Sequence, residues 1–410
     1  MRRGTRLTGR GIALLLFGAL AAAGAAYIGE TDLLWIGLAL ILLPLLALAY
    51  LFLVRPFVSH ERTLTPSTIP VGTSTRVVLH VANESPAQAA ALRFHDTADG
   101  SLGGGASFVI ARGFGAWHQS VGYTVEASRR GRYTVGPLQA QTGDPLGLAQ
   151  RGFTAKGRNS MLRVTPRIWR LEELAGGAGL GSAGEATPQR IGQAGADDVL
   201  VREHRHGDDI RRVHWKMTAK KDDLMVRLEE HPWDPSSTLI VDTRRGAHLG
   251  DGPDGSLEWA VSAVASVAAL LSEGRHRLAI LAPSGRVFES ARGSGEASKQ
   301  LMIEAMTDLQ TSEEAWLGSA VEDPESLSSA ASLVAVTGLL DSSDAAALAA
   351  AGGRARSLIA LVPDAPSWRA PADTHDEHAE AVRFLRGRGW HVEAYRRGEP
   401  VPKVWERVTR

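Results

Sequence analysis

Thr238-Leu239-Ile240-Val241-Asp242 (TLIVD) decides the architecture of the C-terminal half of the chain. A short apolar run closed by a carboxylate reads as a buried strand. Residues 257–271 (LEWAVSAVASVAALL) then form a strongly apolar helix. The alternation continues. Residues 278–282, 332–337, 357–362 and 391–395 are strand-like, and 299–309, 344–351 and 375–388 are helical. Strands alternating with helices predict an α/β parallel sheet with helices on both faces. Such sheets place ligands at the carboxyl ends of their strands. Asp242 and Thr337-Gly338 fall there.

Upstream lies the densest run of paired charge in the chain, VLVREHRHGDDIRRVHWKMTAKKDDLMVRLEEHPW (199–233). Val199-Leu200-Val201 suggests a short strand. His206-Gly207-Asp208-Asp209 suggests a turn and a helix N-cap, where a carboxylate accepts from free backbone N–H groups. Ile210, Val213 and Met217 make one apolar stripe, with Arg211, Arg212 and Lys216 off it. Leu224, Val226 and Leu228 alternate with Met225, Arg227 and Glu229, giving a strand whose apolar face carries the first set. His204, His206, His214 and Asp208 raise a metal reading, in which a hydrolytic zinc would need three or four converging ligands. The spacing supplies no clear fourth ligand. Two other readings stand for the charges. They form an ion-pair lock between linker and last domain, or a docking surface, since Arg and Trp are frequent binding hot spots.

Residues 174–197 are rich in Gly, Ala and Ser without a hydrophobic period, as a flexible linker would be. Gly176-Gly177-Ala178-Gly179 lacks the Lys-Ser/Thr ending of a phosphate loop. Between 60 and 170 the period changes to two. Residues 75–81, 91–95, 107–111, 118–125, 132–135, 138–141 and 161–164 are short strand candidates separated by Gly and Pro. They predict an antiparallel sandwich. Asp144-Pro145-Leu146-Gly147-Leu148 reads as a proline-nucleated turn.

The N-terminus is basic over residues 1–10, through Arg2, Arg3, Arg6 and Arg10. Two apolar runs follow within 11–55, divided by Glu30-Thr31-Asp32, and each is long enough to cross a bilayer. Small residues around Ala23 and Ala25 also admit a cleaved signal peptide, with the second run as stop-transfer. Either way, basic residues before and after (Arg55, Arg62) place the soluble part in the cytoplasm, beneath the inner cell membrane. Net charge is zero over 410 residues, so no whole-chain field draws the protein to nucleic acid. The absence of cysteine excludes disulfides, thiolate catalysis and Cys-ligated metals.

Arg202-Glu203, Gly207-Asp208, Arg211, Trp215, Ala219, Leu224, Arg227 and Glu229 together resemble the signature of the domain-of-unknown-function 58 family. Arg132-Tyr133, Gly136-Pro137 and the 144–148 turn extend the resemblance. His204 stands where Tyr is usual, and Lys220 where Arg is common. The resemblance implies a multi-domain chain: a transmembrane helical hairpin, a β-sandwich-like region (60–170), the signature segment (198–235), and an α/β von Willebrand factor A-like, Rossmann-like domain (236–410). It implies a non-enzymatic membrane adaptor, no cofactor, and partners that include a MoxR-type AAA+ ATPase and a transglutaminase-like membrane protein. The adhesion-type metal motif of the von Willebrand A resemblance, Asp-x-Ser-x-Ser, begins here at Asp242. Arg244 and Gly246 replace its serines and Gly338 follows Thr337, which implies a degenerate site without metal. The alternative is a metal-dependent hydrolase using His204, His206, Asp208 and His214.

Overall fold

The computed structural model describes residues 4–53, 57–84, 92–111, 115–172, 201–203, 215–221, 224–227, 236–273, 277–290, 295–321, 327 and 330–409. They fall into two compact units, 1–166 and 167–410.

The first unit begins with β1 (Gly4–Leu7) and two helices, α1 (Gly9–Ile28) and α2 (Thr31–Leu53). Both helices are long and apolar enough to span a membrane. Leu16, Leu20, Trp35 and Leu46 stay outward, as an apolar solvent would permit. Gly29, at φ 84°, closes α1 by donating to the Ala25 carbonyl and turns the chain back. The helices meet through small residues. A Cβ on Gly37 would lie 2.7 Å from the Ala22 nitrogen, so a side chain there would force them apart.

Among the described residues of this unit, ten strands make two sheets. They are β1, β2 (Val58–Thr65), β3 (Thr68–Pro70), β4 (Ser74–Asn83), β5 (Leu92–Ala98), β6 (Ala106–Ile110), β7 (Trp117–Glu126), β8 (Gly131–Gly143), β9 (Ala149–Thr154) and β10 (Ser160–Thr165). One sheet runs β2-β4-β7. The other runs β1-β9-β8-β10-β3, with β5 pairing β8 and β6 pairing β5. Alternation sets the inward face: Val77, Leu79 and Val81 of β4 are fully buried. They pack with Phe94, Leu138 and Leu162 of the opposite sheet, which makes the unit a sandwich.

Three features depart from the sequence expectation. The candidates 132–135 and 138–141 are one strand, β8, which passes through a cis Gly136-Pro137 bond. One pair, β3 with β10, is parallel. The basic N-terminus holds an edge strand, β1, paired with β9.

A buried ion pair ties the two sheets. Arg62 on β2 donates through Nε to Asp96 of β5 at 3.1 Å, and its Nη2 donates to the other carboxylate oxygen. Arg62 also reaches the carbonyls of Val135 and Arg158, and the Tyr123 hydroxyl donates to Asp96. Burial and the adjacent carboxylate push the Tyr123 phenol far above its usual range. Arg62, read from sequence as a membrane-flanking charge, is therefore neutralised inside the sandwich.

The second unit carries β11 (Val201–Glu203), α3 (Trp215–Lys221) and β12 (Met225–Arg227), with β11 antiparallel to β12. Here the phase expected for the signature strand is reversed: Met225 is buried and Leu224 is exposed. The Met225 N–H donates to the Thr218 hydroxyl, which ties strand to helix.

The remaining elements are β13 (Ser236–Val241), α4 (Ser256–Glu273), β14 (Arg277–Ala282), β15 (Gly285–Glu289), α5 (Gly295–Asp308), β16 (Ser332–Val336), α6 (Ser342–Ala351), β17 (Ser357–Pro363), α7 (Ala372–Gly387), β18 (His391–Tyr395) and α8 (Val401–Thr409). The sheet order is β15-β14-β13-β16-β17-β18. It is parallel except for β15, an antiparallel edge that sequence reading did not anticipate. Side chains alternate between two cores. Leu239, Val241, Val334 and Val336 face α4, α5 and α8. Ile240, Leu333, Ala335 and Val362 face α6 and α7. The helix α4 is apolar all round because it is covered on its outer side too. The Trp169 N–H donates to the Ser266 hydroxyl, and Leu171 and Trp405 join the same core.

Removing one partner of a buried ion pair strands the other charge. Arg62→Met is expected to lower the unfolding free energy by about 3–5 kcal/mol, measured by urea unfolding. Arg62→Met with Asp96→Leu recovers most of that loss, because no charge remains buried.

Candidate functional site

Strand order reverses direction between β13 and β16, which connect to opposite sides of the sheet. That switch point is where an open α/β sheet leaves a crevice at its carboxyl edge. Asp242 follows β13 and Thr337-Gly338 follow β16, as the sequence placed them. The crevice is filled from within by Arg244.

The fit is bidentate. Arg244 Nε and Nη2 donate to the two oxygens of Asp242 at 3.0 and 2.9 Å. Nη1 donates to Asp344 at the start of α6, 3.0 Å from Oδ1 and 2.9 Å from Oδ2. The carbonyls of Ala315 and Leu339 take further donors at 3.3 and 3.4 Å. Backbone N–H groups complete the carboxylates, with Gly338 donating to Asp242 and Leu317 to Asp344. Arg244 is 5 % exposed, and Asp242 and Asp344 are 0 % and 1 % exposed. Burial alone would lower the Arg244 pKa; its bonds to Asp242 and Asp344 outweigh this and raise it, so the guanidinium stays charged.

The surrounding loops depend on close approach. A Cβ on Gly338 would run into the Ala247 carbonyl, which accepts from the Leu339 N–H at 2.7 Å. His248 bonds through Nε2 to the Asp242 carbonyl and through Nδ1 to the Ser256 hydroxyl at the start of α4. Asp341 and Asp344 form a reciprocal capping box on α6. His378 of α7 accepts from the Leu340 N–H at Nδ1 and lies 3.0 Å through Nε2 from the Pro363 carbonyl. Its ring is therefore neutral with the proton on Nε2. Burial pushes its pKa below the usual value.

Above Arg244 lies a cleft of about 520 Å³ whose rim is mainly acidic, with Glu313, Glu314, Asp341 and Glu377. Arg245 sits at the mouth, exposed and paired with Glu313 at 2.9 Å. Asp344 and the Glu313-Glu314 pair went unread in the sequence. The signal for Asp344 was Asp341-x-x-Asp344, a helix-start spacing with acids at both capping positions.

Only part of the signature falls within the described residues. Arg202 and Glu203 lie on β11, Arg227 on β12, and Lys216 and Ala219 on α3. Trp215 opens α3 and is 66 % exposed. His204, His206, Gly207, Asp208, Arg211, Arg212, His214 and Glu229 lie outside the described residues. Among the described residues, no cluster of His, Asp or Glu is arranged to hold a metal ion.

Two predictions follow from this geometry. Arg244→Met leaves two carboxylates facing each other without a cation and is expected to cost about 3–5 kcal/mol. Arg244→Lys keeps the charge but loses the fork, and should fall between the two in thermal unfolding. For His378, the folded pKa lies below the unfolded value of about 6.5, so the unfolded state binds the extra proton. Its contribution is complete above that value and is lost as pH falls below it towards the folded pKa. His378→Gln should flatten this part of the stability–pH curve relative to wild type as pH falls below about 6.5.

No curated protein matches the chain. Solved structures give only weak likeness. The CARDB domain of a Pyrococcus furiosus protein, in complex with di-metal ions, aligns at 11 % identity and TM-score 0.18, covering 25 % of this chain and 96 % of that one. The alkylpurine DNA glycosylase AlkC of Pseudomonas fluorescens aligns at 18 % and 0.15, covering 31 % and 39 %. Cwp6 from Clostridium difficile aligns at 7 % and 0.18, covering 80 % and 56 %. Residues 200–371, from the signature through β17, match the family model described as protein of unknown function DUF58.

Proposed function

We infer that this chain is a multi-pass membrane adaptor without enzymatic activity, which presents a von Willebrand factor A-like domain to a cytoplasmic MoxR-type AAA+ ATPase. The observation that carries this reading is Arg244. At the position where a doubly wound sheet receives its ligand, the chain inserts its own guanidinium between Asp242 and Asp344. A fixed cation there competes with a divalent metal for the same carboxylates and leaves the edge of the domain to protein contacts. The order β15-β14-β13-β16-β17-β18 supports the A-like reading, as does an aspartate directly after the first strand of that sheet.

Membrane attachment rests on α1 and α2, each apolar through a membrane's thickness. Orientation follows from charge. Arg2, Arg3, Arg6 and Arg10 precede the hairpin and Arg55 follows it, whereas Glu30 and Asp32 lie at its turn. This distribution favours both ends on the cytoplasmic side. A transglutaminase-like membrane protein is a further partner on this reading.

Among the described residues of the signature segment, Trp215 is the exposed aromatic and the contact expected to anchor the partner. Crosslinked affinity capture of the solubilised full chain should recover an AAA+ ATPase. Trp215→Ala should reduce that recovery at least about tenfold, as loss of a hot spot costs 2 kcal/mol or more, with thermal unfolding unchanged. Equal recovery with the variant removes Trp215 from the interface, and no ATPase with either chain defeats the adaptor reading.

A further inference from the structure

The turn Asp144–Leu148, read from sequence as a proline-nucleated turn, is where the sandwich meets the helical hairpin. The turn is internally fixed. Asp144 accepts from the N–H groups of Leu146 and Ala149, and the Gly147 N–H donates to the Asp144 carbonyl. It is also bonded to the first turn of α1. The Thr8 N–H donates to the Leu148 carbonyl at 2.8 Å, and the Thr8 hydroxyl donates to the Gly147 carbonyl at 2.7 Å. Gly11 packs so closely on Leu148 that a Cβ there would collide with its carbonyl. Leu148 and Ala149 share a core with Ala47 and Leu51 near the end of α2, and Arg151 donates to the Leu51 carbonyl at 2.9 Å.

The turn thus stands level with the residues at which α1 and α2 enter and leave their apolar spans. Pro145 and Leu146 at its tip lie outside that joint. Leu146 is 60 % exposed at the tip, although Leu148, two residues on, is buried. Arg6 and Arg10 are exposed on the same approach to α1. An apolar tip beside cations at the end of a hydrophobic hairpin matches the headgroup–acyl boundary of a bilayer, where apolar side chains gain from lipid and cations from phosphate.

We propose that the 144–148 turn is a lipid-facing foot: Leu146 enters the bilayer interface and holds the sandwich upright on the membrane that the hairpin crosses. The foot rests on the membrane-spanning reading of α1 and α2, and its occupant is the lipid surface. The long strand β8 then points away from the membrane. From Gly143 to Thr134, the register partner of Met161, it runs about 30 Å at roughly 3.3 Å per residue. Met161 is as exposed as Leu146 but lies towards the far end.

The chain has no cysteine, so single substitutions label cleanly. Leu16→Cys, Leu146→Cys and Met161→Cys would each carry an environment-sensitive fluorophore in the full chain, reconstituted into vesicles of neutral and anionic phospholipid. Quenching by nitroxide on shallow lipid positions would be compared with quenching by aqueous iodide. The expected result is lipid quenching at Leu16 and Leu146 and iodide quenching at Met161. Lipid quenching at Leu16 with iodide access at Leu146 equal to that at Met161 overturns the foot and leaves the membrane span standing. Equal lipid quenching at Leu146 and Met161 also overturns it, since the contact would not be local to the turn. Iodide access at Leu16 overturns the span, and the foot with it.

Discussion

One arginine and two aspartates set the geometry of the α/β domain. Strands β13 and β16 stay paired to their ends, and the loops that leave them at the switch point bring carboxylates and carbonyls together around one group. Arg244 is that group, because a guanidinium has five donors in a rigid plane. Two of its nitrogens hold Asp242, one reaches Asp344 a hundred residues on, and two loop carbonyls take what remains. Two buried carboxylates share one cation, and the residual negative charge falls at the N-terminus of α6, whose free N–H groups favour it. The fold-back of residues 242–249 over the edge of the sheet, and its contact with Gly338, are built around this arrangement.

The sandwich uses the same device with different parts. Arg62 joins strands of opposite sheets through Asp96, with Tyr123 as a third member. In neither case is the ion pair a strong argument for net stability, because desolvation offsets most of the attraction. What both pairs supply is position. A carboxylate buried without its guanidinium is so costly that only the arrangement bringing them together is populated.

Period and composition carried most of the element assignments in the sequence. The helix–strand alternation after Thr238 was readable because β-strand side chains here divide between two cores, so the strands are continuous apolar runs. Failures had local causes. Gly136-Pro137 looks like a break between strands, but β8 runs through it from Gly131 to Gly143. The strand at Met225 is short, and the nearly unbroken apolar sequence there gives no phase. β15 is half-exposed and polar, and pairs only as an edge. Within the candidate site, Asp242 was legible from its place after a strand. Asp344 was not, because its partner is distant in sequence and the cap itself explains an acid at that point. Arg244 was read only as a cation standing where a ligating serine is expected, and its pairing with Asp242 and Asp344 awaited the fold.

The hairpin and the sandwich form one compact unit because the ends of the apolar helices find their partners in the sheet. Apolar helices that end near a membrane surface leave backbone groups without partners. Here Thr8 serves α1 and Arg151 serves α2, while β1 extends the sheet at β9. Cleavage near Ala23 or Ala25 would remove β1, most of α1 and Thr8 together. It would uncover the edge of β9 and expose Leu148 and Ala149, which are now buried. The hydrogen bonds and packing of β1, Thr8, Gly11 and Leu14 against β9 and the 147–149 turn give the start of the first apolar run a structural role in the sandwich.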